Sequence, residues 1–245
     1  MMLAAIRWIF LGIFIVLFGV IGCIFCILRP FHRNNTYVWA RIFGSVTRIL
    51  GVKLEVKVHP DVPPGGPYVY ICNHQNSWEI FTIAAMLPPN TVTVGKKSLR
   101  YIPFFGQLYW LAGNILIDRK NKGRAHGTIA QTADAIKRRD ISVWMFPEGT
   151  RSYGRGLLPF KNGAFHTALK AQVNIVPVCV SNLHEKIKMN RWSNGVLKIE
   201  FLEPINIANY SKESLRQLSR ETHEVMKNKI ALLDKHVSEN DEGNL

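Results

Sequence analysis

Residues 68–79 read YVYICNHQNSWE. The apolar run 68–72 has the length and the β-branched and aromatic content of a buried strand, and it stops abruptly at Asn73-His74-Gln75-Asn76-Ser77. A strand therefore delivers a histidine to its carboxyl end. Ser77 or Asn76 can cap a following helix over 78–86, whose Ala and Met content suits that state. In an α/β sheet, ligands sit at the corner between strand and helix. His74 and Glu79 lie five apart with a turn between them, so the carboxylate can reach back to an imidazole nitrogen. Such a pair holds the ring's tautomer and strengthens it as a base.

Outward from this corner the pattern repeats. Residues 52–58 alternate apolar and charged, as a half-exposed strand does, and the Pro- and Gly-rich stretch 60–67 is a loop. A short strand over 91–94 runs into the basic turn Gly95-Lys96-Lys97. The aromatic-rich run 101–112 that follows reads as core, or as a surface facing membrane or lining an acyl chain. Residues 114–117 form a strand that delivers Asp118 and Arg119. A helix over 128–136 ends in Lys137, Arg138 and Arg139, where the helix dipole favours cations. The strand 141–146 ends at Pro147-Glu148-Gly149-Thr150-Arg151, so three strands terminate in chemically capable residues. Asn162 can cap a helix over 164–171. Residues 175–180 make a strand whose Pro177 suits a sheet edge or bulge, and 196–202 make another. From Ser211, apolar residues at helical spacing give a long amphipathic helix with a polar tail from 238. The expected fold is α/β, with a mixed sheet flanked by helices.

The first fifty residues are of another kind. Between Arg7 and Arg29 there is no charge, and a helix over 8–28 is long enough to cross a bilayer core of about 30 Å. Residues 36–50 place Trp39, Ile42, Phe43, Val46, Ile49 and Leu50 at helical spacing, as an amphipathic helix in the interface would. Either one span or a hairpin entering one leaflet satisfies this leader. Residues 1–50 are thus expected as anchor and 51–245 as a domain that the surplus of Lys and Arg keeps on the cytoplasmic side. With 31 basic against 17 acidic residues, the net charge of +14 attracts anionic lipid headgroups or phosphorylated substrates. Nucleic acid is not expected, because no basic tract interleaves with aromatics and no zinc-finger spacing occurs. Cys23, Cys26, Cys72 and Cys179 read as apolar fillers.

Four further blocks follow His74 in order: KKSLRYIPFFG from Lys96, GNILIDR from Gly113, FPEGTRS from Phe146 and IVPVCVS from Ile175. Together with His74 they make the chain resemble the glycerolipid acyltransferase family, whose signature is NHxxxxD followed by these motifs. The family pattern has Asp where this chain has Glu79. The resemblance implies a membrane-bound enzyme of the bacterial inner membrane with its catalytic domain on the cytoplasmic face, and it favours the hairpin leader. It implies transfer of an acyl group from acyl-CoA or acyl carrier protein to the sn-2 hydroxyl of lysophosphatidic acid. His74 would be the general base, Glu79 its orienting acid, and no acyl-enzyme would form. Phosphate binding carries over to Gly149, Thr150 and Arg151, with Arg119 and Lys96 or Lys97 adding charge. Glu148 would accept from a glycerol hydroxyl or organise its loop. Neither metal nor cofactor is called for beyond the acyl donor as co-substrate. Another lysophospholipid or glycerol 3-phosphate as acceptor, or lipid binding without catalysis, are the alternatives. No G-x-S-x-G elbow offers a serine nucleophile, and Ser77 lies in a cap.

Overall fold

Short runs of Val and Ile alternate with amphipathic stretches, and the computed structural model, which describes residues 1–118 and 125–242, arranges them in three layers. The chain enters as α1 (Met2–Leu28), α2 (Asn35–Gly44) and the single turn α3 (Val46–Ile49). Strands β1 (Lys53–Val58) and β2 (Val69–Cys72) lead to the short helix α4 (Glu79–Thr82). Then come β3 (Thr91–Lys96), α5 (Phe105–Leu111), β4 (Ile115–Ile117), α6 (Ala125–Arg139) and β5 (Ser142–Met145). Helix α7 (Gly163–Ala171), β6 (Ile175–Val180), β7 (Val196–Phe201) and α8 (Leu215–Glu242) complete the order.

The sheet runs β1-β7-β6-β2-β5-β3-β4. All neighbours are parallel except β6 and β7, so β1 and β7 oppose the other five strands and the sheet is mixed. β2 sits at its centre with every residue buried, which explains a continuous apolar run in place of alternation. Successive side chains of a strand face opposite sides. Tyr70, Cys72 and Trp144 therefore join one core with Leu11, Phe14, Trp39 and Phe43 of the leader, while Val69, Ile71 and Val143 join Ile136, Phe165 and Leu218 of α6, α7 and α8. Each such fully buried side chain contributes roughly 1.5–3 kcal/mol of transfer free energy. The leader, together with α4 and α5, thus makes one of the two helical layers over the sheet.

That placement changes the reading of residues 36–50. Trp39, Phe43, Val46 and Leu50 are buried, Phe43 among the rings of Phe14, Phe81 and Phe105 and Trp39 against Phe25, so the stripe expected at a membrane interface is core. The expected single helix also breaks at Ser45. Gly44 lies against the backbone of Ala85, where a Cβ would come within 2.4 Å, and this close crossing fixes the turn between α2 and α3.

Helix α1 is long and apolar enough to cross a membrane, about 40 Å at 1.5 Å per residue, yet it lies along the domain. Gly19 and Gly22 let it approach Phe104 and Leu108 closely. Its opposite face, including Ile6, Ile9, Ile13, Leu17, Val20 and Ile24, is exposed.

Two local expectations are corrected. The helix expected over 78–86 is α4 plus a separate 3₁₀ turn, Ala84–Met86, and Ser77 caps neither. Instead the Asn76 carboxamide oxygen accepts the Trp78 N–H at 2.9 Å, the local bond that Asn makes at turns. Asn162 stands at the N-cap of α7 without a side-chain bond. Of the two places expected for Pro177, edge or bulge, the structure has the bulge, in mid-sheet. Its missing N–H is tolerated because β7 pairs only with residues 178–180 and the chain bulges before pairing resumes at Ile175 with Ile205.

Candidate active site

β2 and β5 are parallel neighbours, so their carboxyl ends lie side by side and the two loops that leave them meet. His74 leaves β2, and Phe146 to Arg151 leave β5. The meeting is tightly bonded. His74 N–H donates to Glu148 Oε1 at 2.6 Å, and the His74 carbonyl accepts from Ser152 N–H at 2.8 Å. Gln75 carbonyl accepts from Tyr153 N–H at 2.9 Å. The imidazole lies flat on the Phe146 ring, with centroids 3.9 Å apart and planes at 16°. Backbone and ring of His74 are therefore both held.

The Glu79 side chain turns back from the first turn of α4. One carboxylate oxygen is bonded to His74 Nδ1 and the other accepts the Gln75 N–H. A carboxylate only accepts, so Nδ1 carries a proton, and in the neutral ring this leaves the lone pair on Nε2. One Glu79 carboxylate thereby serves both ring and backbone. The His74 side chain keeps 16% of its surface exposed and Glu79 only 5%, so the acid is shut in while the imidazole stays partly accessible.

Glu148 is almost fully buried. Oε2 accepts Leu158 N–H at 2.9 Å while Oε1 holds His74, so this acid ties the loop after β2 to the segment after the EGTR turn. Burial pushes its pKa up to about 7 against the pull of the two amide bonds, and the nearby Glu79 charge adds to the rise. Two further side chains brace the corner against β6. Asn73 exchanges bonds with Val180, and Gln75 bonds Val180 O, Ser181 O and Leu183 N. Neither was singled out from the sequence, although both flank the histidine in the motif.

Thr150 and Arg151 end the same loop after β5, Thr150 exposed and Arg151 half-buried, with one guanidinium nitrogen 3.3 Å from the Tyr153 hydroxyl. Gly149 has φ +71°, which favours glycine, and a Cβ there would meet Lys161 Nζ at 2.8 Å. The Lys161 side chain thus lies across the turn, and its N–H is fixed to Pro147 O at 2.8 Å. Lys161 was not recognised from the sequence, since it stands ten residues beyond Arg151. Lys96 ends β3, one strand beyond β5, and Lys97 opens a 3₁₀ turn there; both are exposed at the same edge of the sheet. Arg119 lies outside the described residues. Cys72 and Cys179 are free and buried, and burial pushes the Cys179 thiol up to about 12, which suits fillers rather than nucleophiles.

The corner adjoins the leader: the Trp8 ring of α1 packs on Trp78, one residue before Glu79, at 5.9 Å. Farther along α1, an apolar groove of about 460 Å³ runs between Val20, Cys23 and Ile24 and the segment Tyr101, Pro103, Phe104 and Gln107.

Comparison with known proteins gives one answer. An acyltransferase family model matches residues 53–181. The chain is 48% identical to 1-acyl-sn-glycerol-3-phosphate acyltransferase of Escherichia coli strain K12, over 97% of each sequence. It is 44% identical to the protein of that name from Haemophilus influenzae, over 97% of this chain and 99% of the other. Human 1-acyl-sn-glycerol-3-phosphate acyltransferase alpha is 35% identical over 74% of this chain and 64% of its own length. In fold, the chain resembles the crystal structure of a 1-acyl-sn-glycerophosphate (LPA) acyltransferase from Thermotoga maritima, with a TM-score of 0.74 at 22% identity and 95% coverage of both chains.

Proposed function

Since the chain belongs to the acyltransferase family, we propose that it acylates the sn-2 hydroxyl of lysophosphatidic acid, with acyl-CoA or acyl carrier protein as donor, to give phosphatidic acid. The names of the full-length bacterial relatives support the acceptor. The observation that carries the chemistry is the held imidazole, with Nδ1 on a buried carboxylate and part of the side chain still accessible.

Nε2 takes the proton of the acceptor hydroxyl as its oxygen attacks the thioester carbonyl. Glu79 stabilises the imidazolium that forms and keeps the tautomer that makes Nε2 the base. The tetrahedral intermediate collapses, the carbon–sulfur bond breaks, and the departing thiolate receives the proton from Nε2. Ester and thiol result, and His74 is restored without a covalent enzyme species. Arg151 supplies a guanidinium fork for the acceptor phosphate, Gly149, whose own N–H is bonded to Phe146 O at 3.0 Å, shapes the turn that presents Thr150, and Lys161 and Lys96 or Lys97 add charge. Glu148 acts through His74, whose main chain it fixes.

The acceptor lives in a bilayer, and the leader fits that. Its exposed apolar face and the exposed Tyr101, Ile102 and Phe104 would sit in one leaflet, with the domain on the cytoplasmic face of a bacterial inner membrane. Docking along the domain favours this over a span, which would draw the packed domain into hydrocarbon.

The test is turnover of labelled acyl-CoA and acyl carrier protein thioester by purified protein with a panel of acceptors. Product with lysophosphatidic acid alone is expected. Product only with another lysophospholipid or with glycerol 3-phosphate refutes the acceptor, and no product with any of them refutes the reaction.

A further inference from the structure

We propose that residues 186–193 form a second membrane contact, which seats Trp192 in the headgroup layer of an anionic bilayer and sets how the catalytic corner faces it. The proposal rests on the leaflet placement of α1 above.

Arg7 is a charge in the first turns of an apolar helix, yet only 4% of its surface is exposed. Its guanidinium donates to three backbone carbonyls of this loop: Met189 at 3.0 Å, Arg191, and Trp192 at 3.4 Å. Asn194 completes the fixing. Its amide bonds Leu50 O at 2.6 Å and Lys188 O at 3.2 Å, its carbonyl oxygen accepts Lys188 N–H at 2.8 Å, and its own N–H reaches Gly51 O at 2.7 Å. A loop so constrained nevertheless holds Trp192 81% exposed, with Lys188 and Arg191 exposed beside it.

Tryptophan with an apolar body and a polar N–H, flanked by cations, fits the boundary between hydrocarbon and headgroups. Ile6 and Ile9, on the turns of α1 that carry Arg7, are exposed at 55% and 64%. The cations select anionic lipid over a neutral surface. On those turns Trp8 packs against Trp78 beside Glu79. Loop and catalytic corner thus brace one end of α1, and anchoring the loop fixes the tilt of the corner over its lipid substrate.

The experiment uses the full chain in phosphatidylcholine vesicles with and without phosphatidylglycerol. The difference in emission between wild type and Trp192→Phe isolates Trp192, and lipids brominated near the headgroup are expected to quench it. Quenching by aqueous iodide and not by bromolipid overturns the proposal. Trp192→Ala should lower kcat/KM several-fold for a long-chain acceptor in the bilayer and leave a short-chain acceptor dispersed as monomers unchanged. Equal losses on both would assign the loop a purely structural role and also overturn it. Reversal of Lys188 and Arg191 to Glu should lower turnover on the order of tenfold in vesicles with phosphatidylglycerol and little without it; an equal loss in both vesicles counts against the choice of anionic lipid. If the wild type turns over no acceptor, the acyltransferase reading fails while the quenching result still decides the membrane contact.

Discussion

Glu148→Gln keeps the shape of a side chain and turns one oxygen into an amide nitrogen. In the native corner both oxygens accept backbone amides, from His74 and from Leu158. A glutamine can satisfy one of them, and its NH₂ then faces the other donor. A buried N–H left without an acceptor costs about 1–3 kcal/mol, which in a chain of this size lowers Tm by about 2–12 °C. The pH dependence gives a second readout. The Glu148 carboxyl titrates near 4.5 when unfolded and at about 7 in the fold, so the fold favours its neutral form. That contribution is fully present below about pH 4.5, is lost as pH rises through 7, and amounts to about 3 kcal/mol at 1.36 kcal/mol per pH unit. The protonated acid still offers lone pairs on both oxygens, whereas the amide nitrogen offers none. The deficit of the variant should therefore be largest near pH 5 and shrink towards pH 8. Because the lost bond frees the main chain of the base, kcat should fall by about ten- to a hundredfold. Thermal unfolding followed by circular dichroism from pH 5 to 8, beside steady-state kinetics, measures both. A variant with native Tm at every pH and native kcat would refute the clamp.

His74→Ala should reduce kcat by about 10³-fold with acceptor KM retained, as loss of a base predicts; steady-state kinetics with labelled thioester checks it, and near-normal turnover rejects the mechanism. Glu79→Asp withdraws the carboxylate by about one C–C bond, roughly 1.5 Å. It cannot then serve both His74 and the Gln75 N–H, so kcat should drop about tenfold at constant KM; an unchanged kcat would mean that α4 shifts to compensate. Arg151→Ala and Lys161→Met should each raise KM for lysophosphatidic acid about tenfold while kcat holds. An unchanged KM removes that residue from the phosphate site.

Much of the corner was legible because it depends on local rules. A buried strand ending in NHQNS, a second ending in PEGTR and parallel pairing between them suffice to bring His74 and Glu148 together. Three features were not legible, and each depends on contacts distant in sequence. Arg7 reads as a charge flanking an apolar segment, but its acceptors are carbonyls more than 180 residues away. The stripe of Trp39, Phe43 and Leu50 fits a lipid interface or a protein core equally well by periodicity, and rings from α1, α4 and α5, distant in sequence, decide between them. Lys161 gains its place only because Gly149 leaves room for it.

The way α1 is laid down bears on how the protein can be handled. Trimming away the leader to obtain a water-soluble catalytic fragment is a common tactic, but here it would strip a wall from the building. Leu108, Phe81, Tyr70 and Trp144 share their cluster with leader side chains, and Trp78 would lose Trp8. Detergent or nanodisc preparation of the intact polypeptide is the course that this architecture recommends, and a fragment starting at residue 51 should aggregate.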